Sequence, residues 1–530
     1  MIEPSAAATP PQASEAAPRW EPLAGGTLVL GTLALSLATF MNVLDTSIAN
    51  VSLSAIGGDL GAGASELTWV ITSFAVANAV SVPLTGWLTQ RFGAVRLFVA
   101  SILAFTLFSV LCGLATSLRM LVLFRVLQGA VAGPMIPLSQ ALLLSTFPKS
   151  RAGTALAVWA MTTLVAPVMG PMLGGWITDN LSWPWIFYIN LPVGLFAAAV
   201  TWGVYRTRET PRTSRPVDAV GLGLLILWVG SLQILLDKGE ELDWFASRTI
   251  VALACVAALG FCVFLVWELV ENPHPIVDLR LFARRNFRSG TLAFALGYGV
   301  FFGNVVLLPL WLQETMGYTA TWAGLLTAPV GVLALLLSPI VGRRIGRTDS
   351  RTLASVAFAV FAVSLYLRTL YDTDASYGVL VIPIIVQGAA MAFFFVPLVN
   401  LILAGLPPSK IPDASGLANF ARITAGSFGT SLAITLWDDR AKFHHARLIE
   451  SLTPAQPAAR AYVGALHAIG LSTPQIAAFV NRQVDVQAQT LAAIDVFWLS
   501  AVAFALLIAV VWLAERPSAR LPPEAAGGAH

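Results

Sequence analysis

The sequence predicts an all-α polytopic membrane protein. About 57% of its 530 residues are apolar and only 11% are charged, against roughly 25% charged residues in a soluble globular domain. The apolar residues form runs of about 20, the length that crosses a bilayer. These two observations exclude a series of soluble domains, and the net charge of +3 gives no indication of a nucleic-acid partner.

Fourteen apolar runs are predicted to be transmembrane helices. An even number places both termini on the same side of the bilayer. Residues 1–26, rich in Ala, Pro and Ser, are predicted to be a disordered tail without a removable signal peptide. The predicted spans lie near 27–50, 66–89, 97–116, 118–143, 152–178, 186–205, 218–236, 248–270, 287–312, 322–341, 352–371, 378–404, 414–437 and 490–514.

An internal repeat divides these spans. Pro-Leu-Thr-Gly at 83–86 is echoed by Pro-Ile-Val-Gly at 339–342, and Gln-Gly-Ala at 128–130 recurs at 387–389. Both echoes are about 256–259 residues apart. The repeat predicts two six-helix halves, 27–205 and 287–514, with the substrate site between them near the membrane midplane. Residues 206–286 hold two inserted helices, 438–489 form a long outer loop, and 515–530 form a tail.

The basic residues predict the orientation. If the N-terminus is cytoplasmic, most Lys and Arg residues fall in inner loops, as the positive-inside rule requires. We therefore expect both termini in the cytoplasm. The basic residues of the short outer loops and outer span ends are Arg119, Lys238, Arg248 and Arg368.

Two charged residues stand out inside the predicted spans, Asp45 in the first and Arg125 in the fourth. By helix rise, Asp45 lies about 8 Å below the outer face and Arg125 about 10 Å below it, so the two meet if their spans are neighbours. Burial disfavours a charged carboxylate, and a nearby guanidinium favours it. Movement of one relative to the other would make Asp45 a proton carrier and Arg125 its switch. The alternative is a static ion pair. Glu268 is predicted at an inner span end, where water solvates it.

Other polar and aromatic residues in spans are predicted to line a substrate cavity. The alternative for the polar ones is a hydrogen bond between helices, and for the aromatic one it is packing. These residues are Asn42, Gln128, Asn304, Gln387 and Phe394.

The fifth span is rich in proline and glycine. Pro167, Gly170, Pro171, Gly174 and Gly175 lie within ten residues. Such a segment is predicted to be a tightly packed kink, a flexing point between two access states, or both.

No enzymatic, metal or cofactor site is predicted. Cys112, Cys255 and Cys262 fall in apolar runs, where they pack as small residues, and every histidine lies in a loop or the tail. The sequence also lacks the glycine-rich phosphate loop of ATP-driven pumps.

Four motifs in order carry a family resemblance. They are 44–51 (Leu-Asp-Thr-Ser-Ile-Ala-Asn-Val), 125–129 (Arg-Val-Leu-Gln-Gly), 170–175 (Gly-Pro-Met-Leu-Gly-Gly) and 185–194 (Trp-Ile-Phe-Tyr-Ile-Asn-Leu-Pro-Val-Gly). The chain resembles the major facilitator superfamily, specifically its fourteen-span drug:proton antiporters of the Emr/Qac type. The resemblance implies the major facilitator fold with two extra central helices. It also implies proton transfer through Arg125 and, from the fifth-span motif, export.

The loop after the second span departs from the superfamily pattern. Gly86, Arg91, Gly93 and Arg96 match the conformational motif, but Gln90 stands where the superfamily usually has Asp. In the family that acid helps latch the inner side when the transporter is open outward. The resemblance therefore does not extend to the usual latch.

The Emr-type resemblance implies partners and location. We expect a pump in the inner membrane of a Gram-negative bacterium that binds small hydrophobic substrates and protons. A periplasmic membrane-fusion adaptor, contacted by the long outer loop, and an outer-membrane channel would complete the export route. Within that loop, Thr473 as N-cap and Pro474 at the first helical position predict a helix start. The alternatives are export of a narrow class (fatty acids, aromatic acids or siderophores) or, in the same fold, a nutrient importer.

Overall fold

The structure, a computed structural model, describes residues 21–516 except 149–150, 214–216, 273–274, 345–346 and 453–455. Its regular elements are helices, joined by short connections. The α-helices are α1 Gly25–Val51, α2 Leu53–Leu60, α3 Ala64–Ser81, α4 Thr85–Phe92, α5 Ala94–Gly113, α6 Leu118–Ala132, α7 Met135–Thr146, α8 Ala152–Asn180, α9 Trp185–Tyr188, α10 Asn190–Tyr205, α11 Ala219–Lys238, α12 Arg248–Val266, α13 Arg285–Glu314, α14 Ala320–Thr327, α15 Pro329–Arg344, α16 Ser350–Arg368, α17 Tyr377–Leu403, α18 Ile411–Ser451, α19 Pro457–Ala468 and α20 Thr473–Val511.

Twelve helical segments of the described chain are long and apolar enough to cross a membrane. The predicted count of fourteen is not confirmed. The other two predicted spans fall in α8 and α18, which have 29 and 41 residues but are not among the twelve. In α18 the stretch 411–431 is rich in Gly, Ser and Thr, which lowers its hydropathy while allowing close helix packing.

Proline divides three of the predicted spans into pairs of helices. Pro83 lies in a short 3₁₀ turn between α3 and α4, Pro134 lies between α6 and α7, and Pro329 begins α15. Proline has no N–H to donate and its ring crowds the preceding turn, so the helix breaks or bends there. Each pair still forms one continuous apolar segment.

The inserted helix α11 lies against both halves of the bundle. Thr72 of α3 donates a hydrogen bond to Asp237 near the end of α11. Gln233 of α11 donates to Ser427 of α18 at 2.6 Å, and Ser431 donates to the backbone oxygen of Leu236 at 2.9 Å. Because α11 is bonded on both sides, the insert is packed into the bundle beside the junction of the halves.

The segment 438–489, predicted to be a long loop, is mostly helical. α18 continues to Ser451, α19 follows, and α20 begins at Thr473, one residue before the predicted first helical position. The N-cap is Ser472 rather than Thr473, because Ser472 has extended backbone and shares hydrogen bonds with Gln475, three residues into the helix. This reciprocal arrangement is a capping box.

The halves touch at the end of the bundle that carries the basic loops, here called the basic end. Gly86 at the start of α4 lies so close to Asp413 of α18 that no side chain fits there. Gly342 in α15 packs on the backbone of Gly153 in α8, where a Cβ would lie 2.6 Å from the carbonyl oxygen. Small residues therefore let the two halves close on each other at this end.

Candidate functional site

Asp45 and Arg125 form a buried ion pair. Asp45 lies in α1 and Arg125 in α6, and an Nη1 hydrogen of Arg125 bonds to Asp45 Oδ2 at 2.5 Å. Both side chains are fully buried. The two residues, predicted from the sequence to lie at nearly the same depth, are thus in direct contact inside the N-terminal half.

Three further side chains complete a network around the carboxylate. Gln128 and Asn190 each donate an amide hydrogen to Asp45 Oδ1 at 3.1 Å. Gln128 also accepts from Arg125 at 2.9 Å, and Asn190 donates to Ser109 at 2.9 Å. The carboxylate therefore accepts hydrogen bonds from side chains of both α6 and α10.

Arg125 is held in place by its surroundings as well as by the acid. Its Nε donates to the backbone oxygen of Val70 at 3.0 Å. Its guanidinium lies 4.2 Å from the ring centre of Phe74 and 5.8 Å from that of Phe187. The second terminal nitrogen is buried without a partner among the described residues. This cation is thus under-bonded, as expected of a group that exchanges partners when the helices move.

Sequence reasoning found two members of this network by charge and missed two others. Asn190 lies in the quoted motif 185–194 but was assigned no role, and Ser109 was not singled out. Polar residues of this size are frequent in membrane helices, so neither indicates a site by itself. Their signal is spatial, because Asn190 donates to the buried carboxylate of Asp45 and Ser109 accepts from Asn190.

The C-terminal half has related polar positions with different charge. Asn304, Arg368 and Gln387 each stand 259 residues after Asp45, Ser109 and Gln128 respectively. Arg368 was predicted at an outer span end, but it is only 2% exposed. Its Nη2 donates to Gln387, while its Nε has no partner within the described chain. Arg368 forms no ion pair with an acid among the described residues.

The residues predicted to line a substrate cavity are buried in packing contacts. Asn42 donates to the backbone oxygen of Ala132 at 3.1 Å, which ties α1 to α6. Asn304 donates to Ser500 at 2.9 Å. Phe394 is fully buried and stacks on Phe294, with ring centres 5.5 Å apart. Contacts of this kind match the alternative use of these residues, and their role in a cavity stays a prediction.

The loop after the second span makes a different contact from the one that the family pattern implies. Gln90 donates its amide hydrogens to Asp413 at 3.3 Å, and Asp413 lies in the first turn of α18. Lys410 lies 3.6 Å from the same carboxylate. The acid of the contact is therefore present, but it comes from the C-terminal half and faces an amide in the N-terminal half.

Gly93, Arg91 and Arg96 of this motif have different surroundings. Gly93 has a φ of +89° and no room for a side chain against Glu209. Glu209 accepts from the backbone N–H groups of Val95 and Arg96 at 3.0 Å, which caps α5. The Arg96 side chain is exposed, whereas Arg91 lies over the rings of Trp87 and Phe92 at 5.6 and 5.9 Å.

The glycines of the fifth span are packing sites in this structure. Gly170 of α8 lies directly against Ser47 of α1, and a Cβ on Gly174 would lie 3.0 Å from the backbone oxygen of Ile48. Gly175 is partly exposed. The side chains of Pro167 and Pro171 lie outside the described part of the structure. Two of these glycines therefore bring α8 against α1 directly after Asp45.

Comparison with known proteins identifies the family. A profile of the Major Facilitator Superfamily matches residues 35–430. The chain belongs to the major facilitator superfamily. It is 49% identical to Multidrug export protein EmrB of Escherichia coli (strain K12), with 96% of this chain and 98% of that protein covered. It is 45% identical to the Fatty acid resistance protein FarB of Neisseria gonorrhoeae over 96% and 100% of the two chains.

A solved structure independently supports the fold. The proton:xylose symporter XylE superposes with a TM-score of 0.57 at 14% identity, covering 92% of this chain and 95% of that one. At this identity the likeness concerns the fold alone. The resemblance inferred from the four motifs is confirmed, and the chain is a multi-pass membrane protein of a transporter family rather than of an enzyme family.

Proposed function

We propose that this protein is a multidrug efflux transporter driven by proton uptake at Asp45. The observation that carries the proposal is the buried ion pair of Asp45 and Arg125, held at 2.5 Å inside one half of the bundle. The 49% identity to a protein named for multidrug export supports the substrate range and direction. In a buried pair of a carboxylate and a guanidinium, a proton can replace the guanidinium as the partner of the carboxylate.

The cycle follows from the competition between proton and guanidinium. When α1 and α6 separate, Asp45 exchanges Arg125 for a proton from the outer side while the drug leaves. The protonated protein then opens toward the cytoplasm, binds another molecule and releases the proton as the ion pair forms again. Drug and proton must each bind the two states with different affinity, because otherwise neither shifts the equilibrium.

The orientation and the number of spans belong to the same proposal. α8 and α18 are each long enough to cross about 30 Å of hydrocarbon, and both pack inside the bundle, so we assign fourteen transmembrane helices. Their even number and the basic loops place both termini in the cytoplasm. The membrane is then the inner membrane, and the basic end faces the cytoplasm. The contact between Gln90 and Asp413 makes this an inward-closed state.

A tripartite export route is supported by the shape of the outer side. α18 and α20 continue beyond the span ends and are joined by α19. Arg440 bonds to Asp495 at 2.6 Å and His444 lies 2.7 Å from the same carboxylate, which ties the two helices together. This helical hairpin provides a surface for a periplasmic adaptor, with an outer-membrane channel beyond it.

A second candidate is export of a narrow class of amphipathic anions. Arg368 is buried without an acid partner in the described structure, and a carboxylate-bearing substrate would balance it. A relative at 45% identity is named for fatty acid resistance. Transport of long-chain fatty acids, lost in Arg368→Met while transport of lipophilic cations persists, would favour this candidate.

The decisive experiment uses inside-out vesicles with an acidic interior and a fluorescent reporter of the pH gradient. Drug addition is expected to release protons from vesicles that carry the wild type. Asp45→Asn keeps the size of the side chain but replaces the ionisable group with a neutral amide, so drug-dependent release should disappear.

Asn42→Ser is the matched control, because Asn42 lies in the same helix and bonds only to the Ala132 backbone in the described structure. Persistent proton release in Asp45→Asn would contradict Asp45 as the carrier. Release that is absent from the wild type across lipophilic cations, uncouplers and fatty acids would contradict antiport itself.

A further inference from the structure

An apolar cavity of about 360 Å³ lies between the inserted helices and the main bundle. Leu225 of α11, Leu265 of α12 and Leu417 of α18 contribute to its wall, together with Val277 in the connection before α13. Val277 and Leu417 lie close in sequence to the basic loops, so the cavity is at the basic end of the bundle. The described residues of the wall are aliphatic or aromatic, and none is charged. Such a wall selects an apolar occupant.

The aromatic part of the wall is closely packed around Trp228. The ring centre of Trp228 lies 4.9 Å from Phe261, 5.9 Å from Phe264 and 5.8 Å from Phe420. Rings in mutual contact have little freedom to move into the space beside them. An unfilled apolar cavity is destabilising, because the atoms that line it lack contacts on one side. A ligand with apolar groups of matching size would therefore stabilise this part of the bundle.

The cavity opens toward the lipid-facing surface of α12. Phe261 of α12 and Leu269, in the π-helical turn that continues α12, both line the cavity, yet they are 41% and 47% exposed. This helix is also the least buried of the twelve apolar segments. The stretch from Phe261 to Leu269 covers about 12 Å at 1.5 Å per residue, most of the roughly 15 Å of hydrocarbon in one leaflet. The mouth is therefore positioned to admit a lipid acyl chain.

An exposed arginine stands beside the wall at the basic end. The connection before α13 contains the 3₁₀ turn Leu279–Ala283. Leu279 and Phe282 are three residues apart, so they share one face of this turn, and both line the cavity. Arg280 directly follows Leu279 and its side chain is exposed. Within the described chain, Arg280 takes part in no ion pair or side-chain hydrogen bond.

Positive charge is in excess around this turn. Residues 277–288 contain four arginines and one acid, Asp278, and all four arginines are exposed. Asp278 is already paired with Lys410, at 2.6 Å. Basic groups where helices reach the membrane surface favour anionic lipid headgroups. The apolar mouth and the adjoining arginine together match a molecule with an acyl chain and an anionic head.

We propose that this cavity binds an acyl chain of an anionic phospholipid from the leaflet at the basic end, with the headgroup held by Arg280. The inference goes beyond the proposed export function and does not depend on it. The chain supplies apolar contacts, and the arginine supplies the preference for a negative head. Lys410, the partner of Asp278, also lies 3.6 Å from Asp413. The lipid would thus hold the connection next to the contact that joins the two halves.

The test uses the purified full-length protein in detergent and phospholipids with brominated acyl chains, which quench tryptophan fluorescence on contact. Phosphatidylglycerol and phosphatidylcholine with the same brominated chains are the probes, because only the first has a net negative head. The part of the quenching that is absent in Trp228→Phe reports on the cavity. Phosphatidylglycerol is expected to produce it at a mole fraction about fivefold lower than phosphatidylcholine, the effect of one arginine near an anionic lipid.

Two pairs of variants separate the head from the chain. Arg280→Gln should remove most of the preference for phosphatidylglycerol, whereas Arg343→Gln, which removes an exposed arginine of α15, should keep it. Ala421→Phe adds a ring to the cavity wall and should reduce quenching by both lipids. Leu259→Phe should not, because Leu259 is 67% exposed on α12 and is not part of the described lining.

Equal quenching of Trp228 by the two lipids, or a preference that survives Arg280→Gln, would overturn the proposal. Should Trp228→Phe fail to give a monodisperse protein, the loss of quenching in Ala421→Phe replaces it, and an unchanged signal there would also overturn the proposal. Brominated stearic acid that quenches Trp228 more strongly than phosphatidylglycerol would assign the cavity to a free fatty acid instead. Failure of proton exchange in vesicles contradicts only the proposed antiport, because this assay needs no gradient.

Discussion

The two halves of the bundle use corresponding positions for different electrostatic purposes. In the N-terminal half, Asp45 and Arg125 form a neutral pair that Gln128 supports. In the C-terminal half, Asn304 and Gln387 stand at the positions that match Asp45 and Gln128, and neither ionises. The cation Arg368 stands at the position that matches Ser109. Protonation can therefore change the charge of the first network but not of the second. The two halves share a fold, but only the half with a buried acid in its network can respond to protons there. The presence of Asp45 in one half and Asn304 in the other is enough to make this difference.

The largest expected effect comes from unpairing the acid of the N-terminal half. Arg125→Met leaves Asp45 buried without its counter-ion, which should reduce the free energy of unfolding by about 3–5 kcal/mol. Thermal unfolding in detergent measures the change. The double variant Asp45→Asn/Arg125→Met should recover most of the stability while proton exchange stays absent. Equal stability of the single and double variants would show that the ion pair is not what holds this site together.

A smaller effect is expected where the halves meet. Gln90→Asp restores the acid usual in the superfamily, but it places that acid against Asp413. Like charges about 3.3 Å apart repel, even with partial solvation, so the basic end should open about tenfold more often. Labelling of a single cysteine introduced at Ser415, in a background without the native cysteines, reports this opening. Gln90→Asp/Asp413→Asn should reverse the effect, and an unaltered labelling rate in Gln90→Asp would exclude this contact as the latch.

The C-terminal cation should matter less to stability than its N-terminal counterpart. Arg368→Met removes a buried charge that has no acid partner in the described structure, so the free energy of unfolding should stay within about 1 kcal/mol of wild type or rise. The comparison with Arg125→Met in the same unfolding assay tests the asymmetry directly. A loss as large as that of Arg125→Met would mean that both halves depend equally on their buried arginines.

The smallest effect concerns the basic loop before α16. Asp349 caps α16 and pairs with Arg351 at 2.8 Å and Arg516 at 3.1 Å. The hydrogen bond from Arg351 holds the pKa of Asp349 below its usual value. Its stabilisation is therefore present at neutral pH and lost as pH falls through that lowered pKa. Asp349→Ala should cost about 1 kcal/mol.

Melting temperatures of wild type and Asp349→Ala should differ at pH 7 and converge below about pH 4. A difference between the two proteins that is constant with pH would assign the effect to packing rather than to charge.

The sequence was sufficient for the fold class and for the central ion pair. Apolar runs of bilayer length identify membrane helices. Two opposite charges at equal depth in an apolar bundle are expected to pair with each other, because few other charged groups lie at that depth. The fifth and the thirteenth spans were harder to recognise for a common reason. α8 and α18, which hold them, contain many small and polar residues, so hydropathy alone describes them poorly.

Burial of single polar side chains was the information that the sequence lacked. Glu268 was predicted to be solvated at a span end, yet the crossing of α11 and α12 buries it beside Gly221. Arg368 was likewise expected at the surface. Both stand within a turn of a helix end, where a small change in tilt decides between water and protein. Asn190 and Ser109 were invisible for another reason, because their role exists only through Asp45, which lies on a different helix.

The continuity of α18 has a mechanical consequence. One helix of 41 residues, about 60 Å long at 1.5 Å per residue, begins beside the Gln90 contact and ends beyond the opposite face of the membrane. A tilt of roughly 5° about the end beside Gln90 would displace the far tip by roughly 5 Å. In the orientation proposed above, closing of the cytoplasmic side would therefore move the periplasmic tip of α18 sideways. An adaptor docked there, as proposed, would sense the transport cycle through this helix without contacting either ligand.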